Sequence, residues 1–178
     1  MRDRLLGRIS AYLERAETDS LAAAMATALS APAQQVPQWL FAFDPAGMAT
    51  FRAMALLASH PDDARHVRAE MAGASRAEMP FTRAVMLDSL RLWPTTPLIL
   101  RETTEETHWR SGCLPASTGV IIFAPFFHRD TERLPYADRF VPELWMDDAA
   151  RGDWPLVPFS EGPAECPDGI WCRCSDRR

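Results

Sequence analysis

The sequence contains no lysine and no asparagine, and all 19 of its basic residues are arginine. That bias points to a very GC-rich gene and hence to a bacterial source. Acids outnumber bases, 24 to 19, giving a net charge of -5. The arginines are interleaved with acids, so no basic stripe is available for phosphates and a nucleic-acid partner is not expected. No uninterrupted apolar run approaches the roughly 18 residues that would span a bilayer, and no membrane contact is expected. The opening "MRDRLLGRIS" reads as an amphipathic helix start without a signal-type apolar core, which predicts a cytoplasmic protein. The four cysteines, at 113, 166, 172 and 174, are too few and too uneven for a secreted disulfide framework. Cys166-x5-Cys172-x-Cys174 also lacks the paired C-x2-C spacing with which two thiolates grip one zinc ion.

What is present is ordinary globular material: 178 residues, 47% hydrophobic and 24% charged, enough for one domain with a core. Leu5, Leu6, Ile9, Tyr12 and Leu13 recur at helical spacing, and Asp19 or Ser20 can cap a second helix through "LAAAMATAL". "VPQWLFAFDPAGMATFRAMALLAS", from Val36 to Ser59, is apolar on nearly all sides and predicts a helix buried in the core, kinked or opened at Pro45. Pro61, followed by Asp62 and Asp63, suits the first turn of a further helix, and "AEMPFTRAVMLDSLRLW" predicts another that ends at Pro94. "PLILRETTEETHWRSGCLPASTGVIIFAPFF" changes character, with β-branched runs broken by Gly, Ser and Pro, as in short strands and hairpins. Residues 129–165, with prolines at 135, 142, 155, 158 and 163, read as mostly irregular. The expected fold class is mainly α with a small β region: a helical part over 1–94, then short strands and a loop over 95–167.

Three constellations could carry chemistry. In "FSEGPAEC" a loop turned by Gly162 and Pro163 delivers Cys166; a rigid, shielded loop of this kind can hold a metal-binding thiolate, although a lone buried cysteine is more often a small hydrophobe. Asp88 and Arg91, three apart on one helix, can pair, and by themselves are no more than a surface pair. Ala46-Gly47-Met48-Ala49-Thr50 offers small residues that let a flat ligand approach, plus a hydroxyl; taken singly, a helix-packing patch with Thr50 bonded to its own backbone is the better reading.

Taken in order, Ala-Gly-x-x-Thr, then acid-x-x-Arg before a proline, then Phe-x-x-Gly before a cysteine resemble the cytochrome P-450 heme-thiolate monooxygenases. "LILRETTEET", "FFHRD" and "RFVPELW" extend the resemblance over roughly residues 34–167. It implies the C-terminal, heme-binding portion of that fold, with heme b as cofactor and Cys166 as iron ligand. Phe159 and Gly162 would shape the ligand loop, Gly47 would line the heme, and Arg101 would meet a propionate. Thr50 would act catalytically by positioning oxygen and its protons, while Asp88 and Arg91 form a structural pair. A small organic substrate and a ferredoxin- or flavin-type electron donor are implied with it.

The chain departs from the family pattern in several places. Ala49 stands where an acid usually precedes the threonine, and Asp88 replaces glutamate. Leu144 replaces the arginine of the usual "PERW", and Ala164 replaces a basic residue before the cysteine. Family members are well over twice this length, so the chain is expected to be truncated. The tail "CPDGIWCRCSDRR" reads as a frameshift near Pro167, which makes 168–178 an aberrant end. A catalytically silent remnant, or a helical module without heme, is the competing expectation.

Overall fold

The computed structural model describes residues 1–20, 22–23, 31–73, 79–146, 156–160 and 166, with 38–40 described by backbone alone. It divides into two compact units, Met1–Met48 and Ala49–Arg178. Among the described residues it is mainly helical with two small antiparallel pairs, as expected.

In the first unit, α1 spans Arg2–Leu13 and buries Leu13. Its C-terminal carbonyls are capped in part by Arg15, whose Nε donates to Ala11 O at 2.8 Å. A cavity of about 420 Å³ lies between Leu6, Ser10 and Leu13 of α1 and Pro32–Gln34. Ser20 begins the next helical segment by accepting Ala23 N–H on its hydroxyl at 3.2 Å; the remainder of the expected second helix lies outside the described residues.

The helix α2, Pro32–Ser59, is not interrupted at Pro37 or Pro45, although the missing N–H of Pro45 removes one intrahelical bond. Contrary to the sequence expectation, it is not a buried core helix: Phe41, Phe43, Phe51 and Met54 are each more than 60% exposed, and burial is confined to small or one-sided positions such as Ala49, Ala53 and Leu56. Ala49, Ala53 and Leu56 recur at helical spacing, so one narrow stripe of α2 is covered while apolar side chains between them, such as Phe51 and Met54, face away from it. By length and composition α2 is also apolar enough to cross a membrane, in contrast to the sequence expectation, a test that core helices of soluble proteins pass too.

The second unit packs the end of α2 against α3 (Pro61–Gly73) and α4 (Pro80–Leu92). Ala53, Val67, Phe81 and Val85 form its first core, with Leu57, Met86 and Phe140 against it. Both helices start at proline, whose absent N–H falls where a helix has no intrahelical acceptor. The start of α4 is capped from a distance by Glu70 of α3. Its carboxylate accepts Phe81 N–H and Thr82 N–H, both at 2.8 Å, and the Thr82 hydroxyl at 2.6 Å. After Trp93 the chain forms β1 (Leu98–Glu102), which pairs antiparallel with β4 (Gly119–Phe123) in the register Leu98↔Phe123 to Glu102↔Gly119. Nested between them is the hairpin of β2 (Thr107–Trp109) and β3 (Gly112–Leu114). A short α5 (Ala124–His128) and a 3-10 turn over Pro142–Trp145 follow, with Leu134, Ala137 and Leu156 making a second core.

Partial burial pushes the Glu70 carboxyl up, but the hydrogen bonds from Thr82 and Phe81 outweigh it and hold the group below its ordinary 4.5. Its contribution is therefore complete above pH 4.5 and is lost as pH falls below it. Glu70→Ala should cost about 1–2 kcal/mol in denaturant unfolding at neutral pH and flatten the acid limb of the stability profile.

Candidate functional site

Asp88 and Arg91 are not a surface pair. Both are fully buried in the last turns of α4, with Arg91 Nε donating to Asp88 Oδ1 at 2.5 Å and Nη2 to Oδ2 at 3.2 Å. The remaining three guanidinium N–H bonds go to backbone carbonyls: His128 O at 3.2 Å, Ala137 O at 2.9 Å and Arg139 O at 2.6 Å. All five donors of the arginine are thereby matched. Asp88 also accepts Val141 N–H at 2.7 Å on Oδ2 and the indole N–H of Trp145 at 3.1 Å on Oδ1. The Tyr136 ring lies 5.5 Å from the guanidinium carbon. Leu144 contributes no charge here; backbone groups and Trp145 complete the network instead.

His128, which sequence reasoning left without a role, extends this network toward the cysteine. It is 1% exposed, and its Nε2 accepts Val157 N–H at 3.2 Å. That bond fixes the proton on Nδ1, which is buried without a partner among the described residues. Burial, and secondarily the Arg91 charge, push the imidazole down from 6.5 to about 4, so it is neutral at physiological pH. The sequence signal was a histidine closing the apolar run "FAPFFH", but its acceptor role depends on backbone 29 residues away. Ser89 Oγ, beside Asp88, is likewise buried without a partner among the described residues.

Val157 leads into the turn that carries Phe159. Ser160 N–H donates to Val157 O at 3.1 Å, with Ser160 at φ 63°. Cys166 N–H then donates to Phe159 O at 2.8 Å, so the structure brings these two expected residues together. Cys166 is a free, half-buried cysteine; Gly162, expected to turn the loop, lies outside the described residues. Gly47 and Thr50 both lie on α2 and are exposed, and a Cβ at Gly47 would meet nothing within 4 Å. Arg101 is exposed on β1 opposite Val120, donates to Leu100 O at 2.9 Å, and has no ion pair among the described residues. No hydrogen bond or ion pair joins Cys166 to Thr50 or Arg101 among the described residues.

Two outcomes follow from this geometry. Asp88→Ala leaves the Arg91 charge buried and uncompensated, and should cost about 3–5 kcal/mol in chemical denaturation. For His128 the folded value lies below the unfolded one, so stability is complete above pH 6.5 and falls as pH drops toward 4. The loss should reach on the order of 3 kcal/mol, and His128→Gln should remove that pH dependence when unfolding is followed between these limits.

The cytochrome P-450 family model matches residues 35–167, well over half of the chain. The chain is 33% identical over 124 residues to cyclooctat-9-en-7-ol 5-monooxygenase of Streptomyces melanosporofaciens, an alignment covering 62% of this chain and 27% of that protein. It is also 33% identical over 125 residues to sugiol synthase of Salvia miltiorrhiza, covering 62% and 25% respectively. The aligned part thus spans about a quarter of the length of these curated relatives. A retinoic acid-bound cyanobacterial cytochrome P-450 superposes with a TM-score of 0.76 over 97% of this chain and 46% of its own, at 24% identity. A second cytochrome P-450 crystal structure gives 0.78 over 96% and 47%, at 21% identity. These structures share the fold, and with the match across 35–167 they establish that the chain belongs to the cytochrome P-450 family.

Proposed function

We propose that this chain carries the iron-binding end of a heme-thiolate monooxygenase, with Cys166 as the thiolate ligand. Cytochrome P-450 proteins bind heme b and are monooxygenases as a class. When bound, the heme activates dioxygen for insertion of one oxygen atom into an organic substrate. The observation that carries the assignment is the way Cys166 is fastened: its backbone N–H is committed to Phe159 O at 2.8 Å, while its sulfur is free. A half-buried thiolate is a donor type that heme iron accepts, so the residue present fits the group.

The other residues take roles consistent with their surroundings. Arg101 has a guanidinium free of carboxylates among the described residues and can neutralise a heme propionate. Gly47 leaves its face of α2 open to a flat ligand. Thr50 is exposed on α2 and, by the family resemblance, would help position a proton near the substrate. Phe159, with Gly162 outside the described residues, would shape the ligand loop, and His128, itself held by Arg91, fastens Val157 at its start. The substrate is a small organic molecule, and electrons come from a ferredoxin- or flavin-type donor. These readings rest on family resemblance together with the placement described above.

The exposed Phe41, Phe51, Met54, Leu100 and Ile121 favour a second reading, a heme-free remnant of the fold that keeps its core without its chemistry. Reconstitution with heme, reduction and addition of CO separates the two. The heme-thiolate reading expects the red-shifted Soret band of a thiolate-ligated complex, lost in Cys166→Ala while the helical circular dichroism persists. Failure to take up heme, or an unchanged band in Cys166→Ala, would support the remnant and exclude Cys166 as ligand.

A further inference from the structure

The β2–β3 hairpin carries a group of metal-binding side chains that the heme reading does not use. Strand alternation puts Glu106 and His108 on one face of the hairpin. The register then sets Cys113 of β3 directly opposite His108. Thr107 and Trp109 take the other face, where the Trp109 indole N–H donates to Thr107 Oγ1 at 3.1 Å. The turn through Arg110 and Ser111 holds this register, with Gly112 at φ +142°, a conformation that excludes most side chains.

We propose that Glu106, His108 and Cys113 form a surface site for one zinc-class divalent cation. His108 Nδ1 lies 2.8 Å from Cys113 Sγ, and His108 Nε2 lies 3.5 Å from Glu106 Oε1. One donor atom from each residue falls within 4.8 Å of the other two. Tetrahedral zinc, with bonds of about 2.0–2.3 Å, separates its ligand atoms by about 3.5 Å, so small side-chain rotations close the site. The donor set decides the metal class. Thiolate, imidazole and carboxylate together suit zinc and its neighbours, whereas calcium and magnesium take oxygen donors. Three protein ligands leave the fourth position to water, and all three residues are exposed, so the cation enters directly from solvent. On binding, the Cys113 S–H bond breaks, its proton goes to solvent, and the sulfur lone pair forms the bond to the metal. The site requires no heme and none of the tail cysteines.

The test uses the full chain, reduced and stripped with chelator, titrated with Zn²⁺ by calorimetry and with Co²⁺ by absorption. One equivalent should bind, with a thiolate-to-cobalt charge-transfer band. Cys113→Ser should abolish that band, and His108→Gln should weaken binding comparably. Glu106→Gln should lower affinity about tenfold. Circular dichroism on each variant checks that the fold persists. Binding should be unchanged in Cys166→Ser and in the Cys172→Ser, Cys174→Ser double variant. Absence of a saturable equivalent, a charge-transfer band that survives Cys113→Ser, or its loss in the Cys166 or tail variants would overturn the proposal.

Discussion

The buried pair of Asp88 and Arg91 is the constraint on which the C-terminal part of the second unit depends. Removing two charges from water is costly, and their mutual attraction offsets that cost only when the remaining donors and acceptors are also matched. Here the match is complete: five guanidinium N–H groups meet two carboxylate oxygens and three carbonyls, and the carboxylate takes two further donors from Val141 and Trp145. The partners span residues 128–145, a stretch without sheet and with a single short 3-10 turn after α5. Backbone groups in such a segment have no ladder to join, and a buried carbonyl without a partner is destabilising. The ion pair supplies what a sheet edge would otherwise provide.

The same charge also sets the chemistry of its neighbour. Arg91 takes the His128 carbonyl, and with burial its positive charge disfavours a second cation on that imidazole. A neutral ring leaves Nε2 able to accept Val157 N–H, which a protonated ring could not do. Val157 opens the turn to Phe159, whose carbonyl holds Cys166. Helix α4 is thus connected to the proposed ligand through one imidazole and a few backbone bonds, none of which occupies the sulfur.

Much of this fold was legible in local chemistry. Pro61 at a helix start placed α3, Pro94 marked the end of α4, and β-branched runs broken by Gly, Ser and Pro placed the strands. What failed was burial. Hydropathy records that α2 is apolar all round, but whether a face is covered depends on what packs against it, and Phe51 and Met54 face away from the covered stripe. The Asp88-x-x-Arg91 spacing allowed pairing, but spacing is silent on depth. Three of Arg91's acceptors are carbonyls 37 to 48 residues away, identified only by the fold. His128 and the hairpin triad escaped notice for related reasons: one relies on a distant amide, the other on cross-strand register.

The two units divide the expected site residues unevenly. Asp88, Arg91, Arg101, His128, Phe159 and Cys166 all belong to Ala49–Arg178, whereas Gly47 falls before that boundary and Thr50 just after it, on the helix that runs across it. The described contacts that hold the segment carrying Phe159 and Cys166 lie within one unit, through the buried side chains of Asp88, Arg91 and His128. Gly47 and Thr50, proposed for the substrate side, sit on exposed surface of α2. Under the proposed role of Cys166 the hydrogen bonds of those buried side chains lie where a sulfur would have to be presented in one orientation, since an iron ligand is tuned by the geometry and hydrogen bonding around it. Neither Gly47 nor Thr50 takes part in the ion-pair network, so both can vary without disturbing it.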